Sequence, residues 1–228
     1  MTEEKTSELT KLHPKLIEFQ NQIRDAYDQE NKIAEKSQIV FAGSSLMEIF
    51  PIEKFQQEDN LKLPLKIYNR GVRATTTQDI LDHINTIILD LLPSKLFINI
   101  GSNDLGFGIS VEEMSANYKA IIKKVREKLP KIEIYLMAFY PINEHDDFTN
   151  DRADHGRFAD KRSNASLINA TAEVAKLAGI MNVNFINVNA GLYNQVGDLK
   201  PEFTFDGAHL TENAYKIVLE NLMPYLEK

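Results

Sequence analysis

The stretch Gln38-Ile39-Val40-Phe41-Ala42-Gly43-Ser44-Ser45-Leu46 leads from a run of β-type residues directly into a Gly-Ser-Ser turn. Branched and aromatic residues in such a run favour a strand, so Ser45 stands just past the strand, near the start of a short helix. A polar turn after a parallel strand lies at the sheet edge where α/β proteins bind their ligands. The stretch therefore predicts both a class of fold and the place of a functional site.

Strands and helices are predicted to alternate along the rest of the chain. The further strand candidates are Leu65–Asn69, Lys95–Ile100, Ile132–Ala138 and Val183–Val188. Apolar residues that recur every three or four positions predict helices between and around them. The predicted helices are an N-terminal one from Leu9 to about Ala34, Thr77–Leu91, Val111–Leu129, Lys161–Ala178 and Thr211–Leu226, the last with Thr211 as its N-cap. This alternation predicts an α/β fold with a five-stranded parallel sheet that helices cover on both faces.

Composition narrows the class of protein. The 228 residues are 43% hydrophobic and 26% charged, which predicts one soluble domain over residues 1–228, with residues 1–36 as a helical extension packing on it. A net charge of −7 without a long basic run argues against nucleic acid or an anionic membrane as the main partner. The absence of cysteine excludes disulfides, thiolate catalysis and Cys-based metal sites. The polar N-terminus lacks an apolar signal core and no apolar run approaches ~18 residues, so we expect a cytoplasmic protein without stable membrane insertion.

Four short blocks carry the residue types that acyl transfer by a serine requires, and they are Gly43–Leu46, Asn69–Gly71, Gly101–Asp104 and Asp206–His209. Each block alone is typical of an ordinary loop, turn or helix cap. Their joint occurrence in this order, each at the end of a strand or the start of a helix, indicates a catalytic site.

The chemistry of these blocks assigns a role to each side chain. The Ser45 hydroxyl is a weak nucleophile near neutral pH and needs a base. His209 is the best candidate, because it alone of the five histidines follows an Asp by three positions in a Gly-containing turn. Asp206 can accept the other imidazole N–H and thereby fix the ring. The predicted oxyanion donors are the backbone N–H groups of Ser45 and Gly71 and the side-chain amide of Asn103.

These residues resemble the SGNH (GDSL) hydrolase family, which is named for a Ser, Gly, Asn and His from four blocks. Ser45, Gly71, Asn103 and His209 match these four residues, and Asp206 matches the acidic member of the family's Asp-x-x-His motif. The resemblance implies a three-layer α/β/α fold, flavodoxin-like in character, and ester hydrolysis through an acyl-enzyme without metal or organic cofactor. The overall pattern of motifs is similar to that of bacterial relatives of platelet-activating-factor acetylhydrolases and of small acyl-esterases. The chain departs from the family at one position, where Ser44 replaces the Asp of Gly-Asp-Ser-Leu.

Two segments outside the blocks have more than one interpretation. Arg73 either reaches the edge of the site and favours an anionic or polar substrate, or is a solvated loop residue. The polar segment from Pro141 to Asp160 is predicted to be a long loop beside the site. Its acidic residues and its histidines, His145 and His155, could also hold a metal, although the spacing is irregular. The N-terminal helix either packs back on the sheet or contributes to a homodimer interface.

The favoured hypothesis is a serine esterase, lipase-like in type, that hydrolyses short acyl or acetyl esters of a small-molecule substrate. The first alternative is a flavodoxin-like module that binds a nucleotide or phosphorylated ligand at the turn of Ser44 and Ser45. That alternative leaves Asn103, Asp206 and His209 without a role. A non-catalytic binder of acylated sugars is the second alternative, because an intact set of catalytic residues does not prove turnover.

Overall fold

The computed structural model describes residues 13–58, 61–146, 148 and 162–227. The strands are β1 (Ile39–Gly43), β2 (Ile67–Gly71), β3 (Lys95–Asn99), β4 (Glu133–Met137) and β5 (Asn184–Ile186). They form one parallel sheet in the spatial order β2-β1-β3-β4-β5. The predicted α/β fold with a five-stranded parallel sheet is confirmed, and every strand overlaps its predicted range.

The helices alternate with the strands and lie on both faces of the sheet. They are α1 (Pro14–Ile33), α2 (Ser45–Glu48), α3 (Ile52–Glu58), α4 (Thr77–Asp82), α5 (Ile84–Ile87), α6 (Ser102–Gly106), α7 (Val111–Lys128), α8 (Asn164–Met181) and α9 (Glu212–Leu226), with 3-10 turns at Leu89–Leu91 and Pro201–Phe203. Within the described ranges, no helix combines the length and the apolar character needed to cross a membrane.

Two hydrophobic clusters separate the layers, because neighbouring residues of a strand point to opposite faces of the sheet. Val40 of β1 packs on one face with α4, α5, α7 and α8, whereas Phe41 packs on the other face with α2, α3 and α9. On that second face the rings of Phe41, Phe97 and Tyr135 stack across three neighbouring strands, with 4.6 Å between successive ring centroids. The result is the three-layer α/β/α arrangement.

The helix predicted over Thr77–Leu91 is not continuous, and this prediction was wrong. It is divided into α4, α5 and a 3-10 turn, and His83 between the first two has a non-helical φ of −115°. Carbonyl groups of this segment bond to side chains of the N-terminal region instead, since Asn31 Nδ2 donates to Thr86 O at 2.7 Å and Lys36 Nζ donates to Asp90 O at 2.8 Å. The spacing of apolar residues, from which the helix is predicted, does not reveal that distant side chains bond to these carbonyl groups.

The caps of the two C-terminal helices differ in how they form. Thr211 occupies the N-cap position of α9 as predicted, but its hydroxyl makes no capping bond and instead donates to Glu202 O at 3.4 Å. Helix α8 begins at Asn164, where Ser163 and Ser166 form a reciprocal capping box. Lys161, the predicted start of that helix, lies outside the described residues.

The N-terminal helix α1 lies beside β2, at an edge of the sheet. Tyr27 Oη donates to Gly71 O at 2.8 Å. Arg70 of β2 is 1% exposed, and its Nε and Nη2 donate to Asn31 Oδ1 at 3.2 and 3.0 Å while its guanidinium lies over the Tyr27 ring. Glu30 completes the set with an ion pair to Arg70 at 3.2 Å. Helix α1 therefore supplies the side-chain hydrogen-bond acceptor and the counter-charge for a guanidinium buried in β2.

Candidate active site

Ser45 is the first residue of α2 and directly follows the turn at the end of β1. Its Oγ lies 2.9 Å from His209 Nε2, a distance that joins two residues 164 positions apart in the chain. The turn is tight: a Cβ at Gly43 would lie 2.4 Å from Asn99 O, so glycine is required there. The geometry identifies Ser45 as the serine that faces the histidine.

The fourth block, Asp206–His209, forms a compact turn in which Asp206 organises His209. Asp206 Oδ2 lies 2.6 Å from His209 Nδ1, and Asp206 Oδ1 accepts bonds from the N–H groups of Ala208 at 3.0 Å and His209 at 2.7 Å. Gly207 permits the turn with a φ of +86°. When Asp206 accepts the Nδ1 proton, the Nε2 lone pair is directed at the Ser45 hydroxyl.

Asp206 is suited to remain ionised. Burial alone would raise its pKa, but the hydrogen bonds and charge of His209, together with the Ala208 N–H, outweigh burial and hold the pKa of this carboxyl below its usual range. The predicted grouping of Ser45, His209 and Asp206 is thus present as a continuous chain of hydrogen bonds.

Asn103 lies in α6, just after β3, and faces the same pocket. One of its two amide protons is donated from Nδ2 to Thr75 O at 2.8 Å. An amide nitrogen carries two protons, and none of the described residues accepts the second one from Asn103.

Gly71 is not brought to the pocket, and its predicted role as an oxyanion donor is corrected here. Its N–H donates to Asn69 Oδ1 at 3.0 Å within β2. A Cβ at this position would lie 2.1 Å from the backbone nitrogen of Glu48, so the glycine allows β2 to approach α2 closely. The residue type is needed for packing, whereas its N–H is already used.

Ala74 occupies the position in the pocket that sequence reasoning assigned to Gly71. It lines the pocket together with Ser45, Asn103 and His209, and its φ of +56° is left-handed. None of the described residues accepts a hydrogen bond from the Ala74 N–H. Sequence reasoning missed this residue because alanine carries no reactive group and its left-handed backbone leaves no trace in the residue type.

The pocket around these groups has a volume of about 490 Å³ and mostly apolar walls. Its apolar lining comprises Leu16, Leu46, Ile49, Phe107, Ile142, Leu167 and Phe205. Phe205 is 53% exposed and its ring lies nearly parallel to the His209 ring, with centroids 5.8 Å apart. The pocket therefore offers an apolar surface to a substrate that reaches Ser45.

Two arginines contribute to the pocket wall. Arg73 Nε donates to Glu48 Oε1 at 2.7 Å and its backbone N–H to Glu48 Oε2 at 2.5 Å, and the hydrogen bond to Glu48 raises the pKa of Arg73. Its guanidinium also lies over the Phe19 ring at 4.5 Å. Arg162, which sequence reasoning did not select, donates from Nη1 to Ser102 Oγ at 3.2 Å, and burial lowers its pKa to about 10.

Of the two histidines in the polar loop, His145 has a described position and His155 does not. His145 Nδ1 lies 2.5 Å from Asp198 Oδ2, so its ring is bound to a buried carboxylate. His155 lies outside the described residues, as does most of the predicted loop. Among the residues with described positions, no group of three or more His, Asp or Glu is arranged to hold a metal ion.

Sequence comparison matches the chain to a family of lipases and acylhydrolases. The sequence profile of the GDSL-like lipase/acylhydrolase family matches residues 53–217, a segment that contains Ala74, Asn103 and the turn of His209 but begins after Ser45. The chain is 23% identical over 201 residues to the platelet-activating factor acetylhydrolase IB subunit alpha1 of Bos taurus, covering 88% of this chain and 77% of that protein.

Solved structures show the same architecture. A protein of Streptococcus pneumonia, provisionally assigned as a platelet activating factor, superposes with a TM-score of 0.79 at 31% identity, covering 92% of this chain and 94% of that one. An acetyl xylan esterase from Geobacillus stearothermophilus, solved as a variant, has a TM-score of 0.63 at 16% identity and covers 86% and 96% of the two chains.

Proposed function

Because the chain belongs to the GDSL-like lipase/acylhydrolase family, we propose that this ester-cleaving hydrolase is a carboxylic ester hydrolase with Ser45 as its nucleophile. His209 is the general base and Asp206 holds its ring. The observation that carries the proposal is the chain of hydrogen bonds from Ser45 Oγ to His209 Nε2 at 2.9 Å and from His209 Nδ1 to Asp206 Oδ2 at 2.6 Å.

The reaction proceeds in two halves through an acyl-enzyme. Ser45 Oγ adds to the ester carbonyl carbon while His209 Nε2 takes the hydroxyl proton. The carbon–oxygen bond to the alcohol then breaks, and His209 returns the proton to the leaving alcohol. A water molecule repeats the addition with His209 as base, and collapse of the second intermediate releases the acid and restores the Ser45 hydroxyl.

Negative charge on the carbonyl oxygen requires preorganised donors in both halves. We assign this role to the N–H of Ser45, the N–H of Ala74 and the second amide proton of Asn103. The Ser45 N–H is suitable because the first N–H groups of a helix have no partner within that helix. Ala74 replaces Gly71, whose N–H is bound to Asn69.

Short acyl groups, acetyl above all, are the proposed acid part of the substrate. Two of the relatives described above are named for acetyl esters, one an acetylhydrolase and the other an acetyl xylan esterase. The phospho-ligand alternative is not favoured, since the Ser45 hydroxyl is bound to His209 at a mostly apolar pocket. A homodimer and a cytoplasmic location remain predictions, which sedimentation and cell fractionation would test.

The test is hydrolysis of p-nitrophenyl acetate, butyrate and octanoate, an acetylated sugar and an acetylated phospholipid. Ser45→Ala should lower turnover by about 10⁴-fold or more, because the other triad members act only through the nucleophile. Ser44→Ala is the matched control and should keep most of the activity, because the neighbouring hydroxyl is not the one bound to His209.

Full activity in Ser45→Ala would refute the assignment of the nucleophile. A wild type that turns over none of the esters would refute the enzymatic proposal and favour the non-catalytic binder.

A further inference from the structure

Gln20 is a buried polar residue in the middle of α1 and makes one hydrogen bond into the loop after β2. It is 2% exposed, and its Nε2 donates to Arg73 O at 2.7 Å. Gln20 does not line the pocket, although Leu16, one turn earlier on the same helix, does. A buried amide requires a partner, and this one is the carbonyl of a peptide group at the wall of the catalytic pocket.

The bonded carbonyl belongs to the same peptide unit as the Ala74 N–H. In a trans peptide the C=O and the N–H point in opposite directions within one plane. A donor that fixes Arg73 O on the side of α1 therefore fixes the direction of the Ala74 N–H on the opposite side. Gln20 thus controls the orientation of a pocket group that it does not touch.

Other bonds hold the residues on either side of this peptide but leave its plane free to rotate. Glu48 accepts the N–H of Arg73, which belongs to the preceding peptide. Asn103 donates to Thr75 O, which belongs to the peptide after Thr75. The left-handed φ of Ala74 is strained for a residue with a Cβ, so the loop would relax if its peptide were not held.

We propose that Gln20 is a positioning residue of the esterase, which directs the Ala74 N–H at the developing oxyanion through the Arg73–Ala74 peptide. This inference rests on the proposed function, because it assigns a purpose to the Ala74 N–H. It also makes α1, which precedes the segment that matches the family profile, a part of the catalytic apparatus.

The test compares Gln20→Met with Tyr27→Phe. Methionine keeps the length and helix propensity of glutamine but cannot donate a hydrogen bond. Tyr27→Phe removes a bond of nearly the same length from the same helix, to Gly71 O, without touching the Arg73–Ala74 peptide. Active-site titration with a fluorophosphonate normalises each rate to the folded, reactive fraction.

Gln20→Met should lower kcat for p-nitrophenyl acetate about 10- to 100-fold with KM within about twofold, since losing a whole oxyanion donor costs 10²–10³. Its affinity for ethylboronic acid, which adds to Ser45 as a tetrahedral adduct, should fall by a similar factor. Tyr27→Phe should leave kcat and boronate affinity within about twofold of wild type, even if its melting temperature falls.

Two results would overturn the inference while leaving the proposed function intact. One is an unchanged kcat per titrated site in Gln20→Met, alongside a Ser45→Ala variant that is inactive. The other is an equal loss of kcat in Gln20→Met and Tyr27→Phe, which would indicate a general packing role for α1. If Gln20→Met does not fold, Gln20→Leu, which also lacks a hydrogen-bond donor and keeps a high helix propensity, provides the same comparison. An inactive wild type would instead refute the proposed function.

Discussion

Ala74 combines a strained backbone conformation with a proposed role in catalysis, in which its N–H is an oxyanion donor. Its φ of +56° is a conformation that costs a residue with a Cβ roughly 1–2 kcal/mol relative to the right-handed region. Strain of this kind persists where the surroundings hold it. Here Glu48 and Asn103 bond to the peptides on either side, and Gln20 bonds to the Arg73–Ala74 peptide itself. The proposed role of Ala74 needs only its N–H, which every residue except proline provides.

Ala74→Gly should therefore stabilise the protein, by about 0.5 kcal/mol after the larger entropy of unfolded glycine is subtracted, and should keep kcat within about threefold. Ala172→Gly, an exposed site in α8, is the matched control and should destabilise by about 1 kcal/mol. Urea unfolding of both variants measures the two effects. Destabilisation by Ala74→Gly equal to that of the control would show that the left-handed conformation carries no strain.

At the scale of single residues, the sequence predicts which side chains come together in the site, but it does not predict which backbone N–H groups are free to donate. The bonded geometry of Ser45, Asp206 and His209 agrees with what their residue types and spacing predicted, although their catalytic roles stay proposals. Gly71 was selected because glycine offers an unobstructed N–H, but which N–H is free depends on Asn69, whose side chain reaches it only in the folded strand. A backbone donor is assigned by conformation, which the residue type does not record.

At the scale of elements, β2 and α2 fit together through Gly71 and Asn69. A Cβ at Gly71 would overlap backbone atoms of Met47 and Glu48, and Asn69 Nδ2 donates to Met47 O at 2.7 Å and to Phe50 O at 3.0 Å. The end of β2 thus fixes the helix that begins with Ser45.

Gly71→Ala should destabilise the protein by about 1–3 kcal/mol, because backbone rather than a flexible side chain would have to move. It should also lower kcat tenfold or more, since α2 would carry Ser45 away from His209. Gly179→Ala in α8 meets no atom within 4 Å and should raise stability by up to about 1 kcal/mol. Urea midpoints and p-nitrophenyl acetate turnover would decide, and wild-type values for Gly71→Ala would contradict the close fit.

The ion pair between His145 and Asp198 ties the segment after β4 to the loop before α9. The hydrogen bond and charge of Asp198 raise the pKa of His145, and Glu144 and Asp146 add to the effect. A raised folded pKa contributes stability that is fully present below the unfolded value of about 6.5 and is lost as pH rises through the folded value.

His145→Gln should therefore lower the urea midpoint more at pH 5.5 than at pH 9. The His145 side chain is 71% exposed, so the difference should be small and should shrink further in 1 M salt. A loss of stability that is equal at both pH values would show that the charge of the histidine is not involved.

At the scale of the whole molecule, alternation of strands and helices was sufficient to predict the architecture. The two-residue alternation of Val40 and Phe41 between the two clusters explains why: each strand is buried on both faces, so its sequence is apolar throughout. The division of Thr77–Leu91 was unpredictable because it depends on contacts with α1, far away in sequence. We propose that α1 and the sheet form one domain, joined through the buried guanidinium of Arg70.

The buried guanidinium of Arg70 bears on where the domain begins, because sequence similarity and burial indicate different starting points. Similarity to the family starts at residue 53, so a chain that begins there keeps the whole segment that matches the family profile. Such a truncation removes Ser45, and it also strips Arg70 of Glu30, Asn31 and the aromatic face of Tyr27, leaving a cation enclosed without its counter-charge. We infer that burial, rather than sequence similarity, defines the folded unit, and that this unit includes α1.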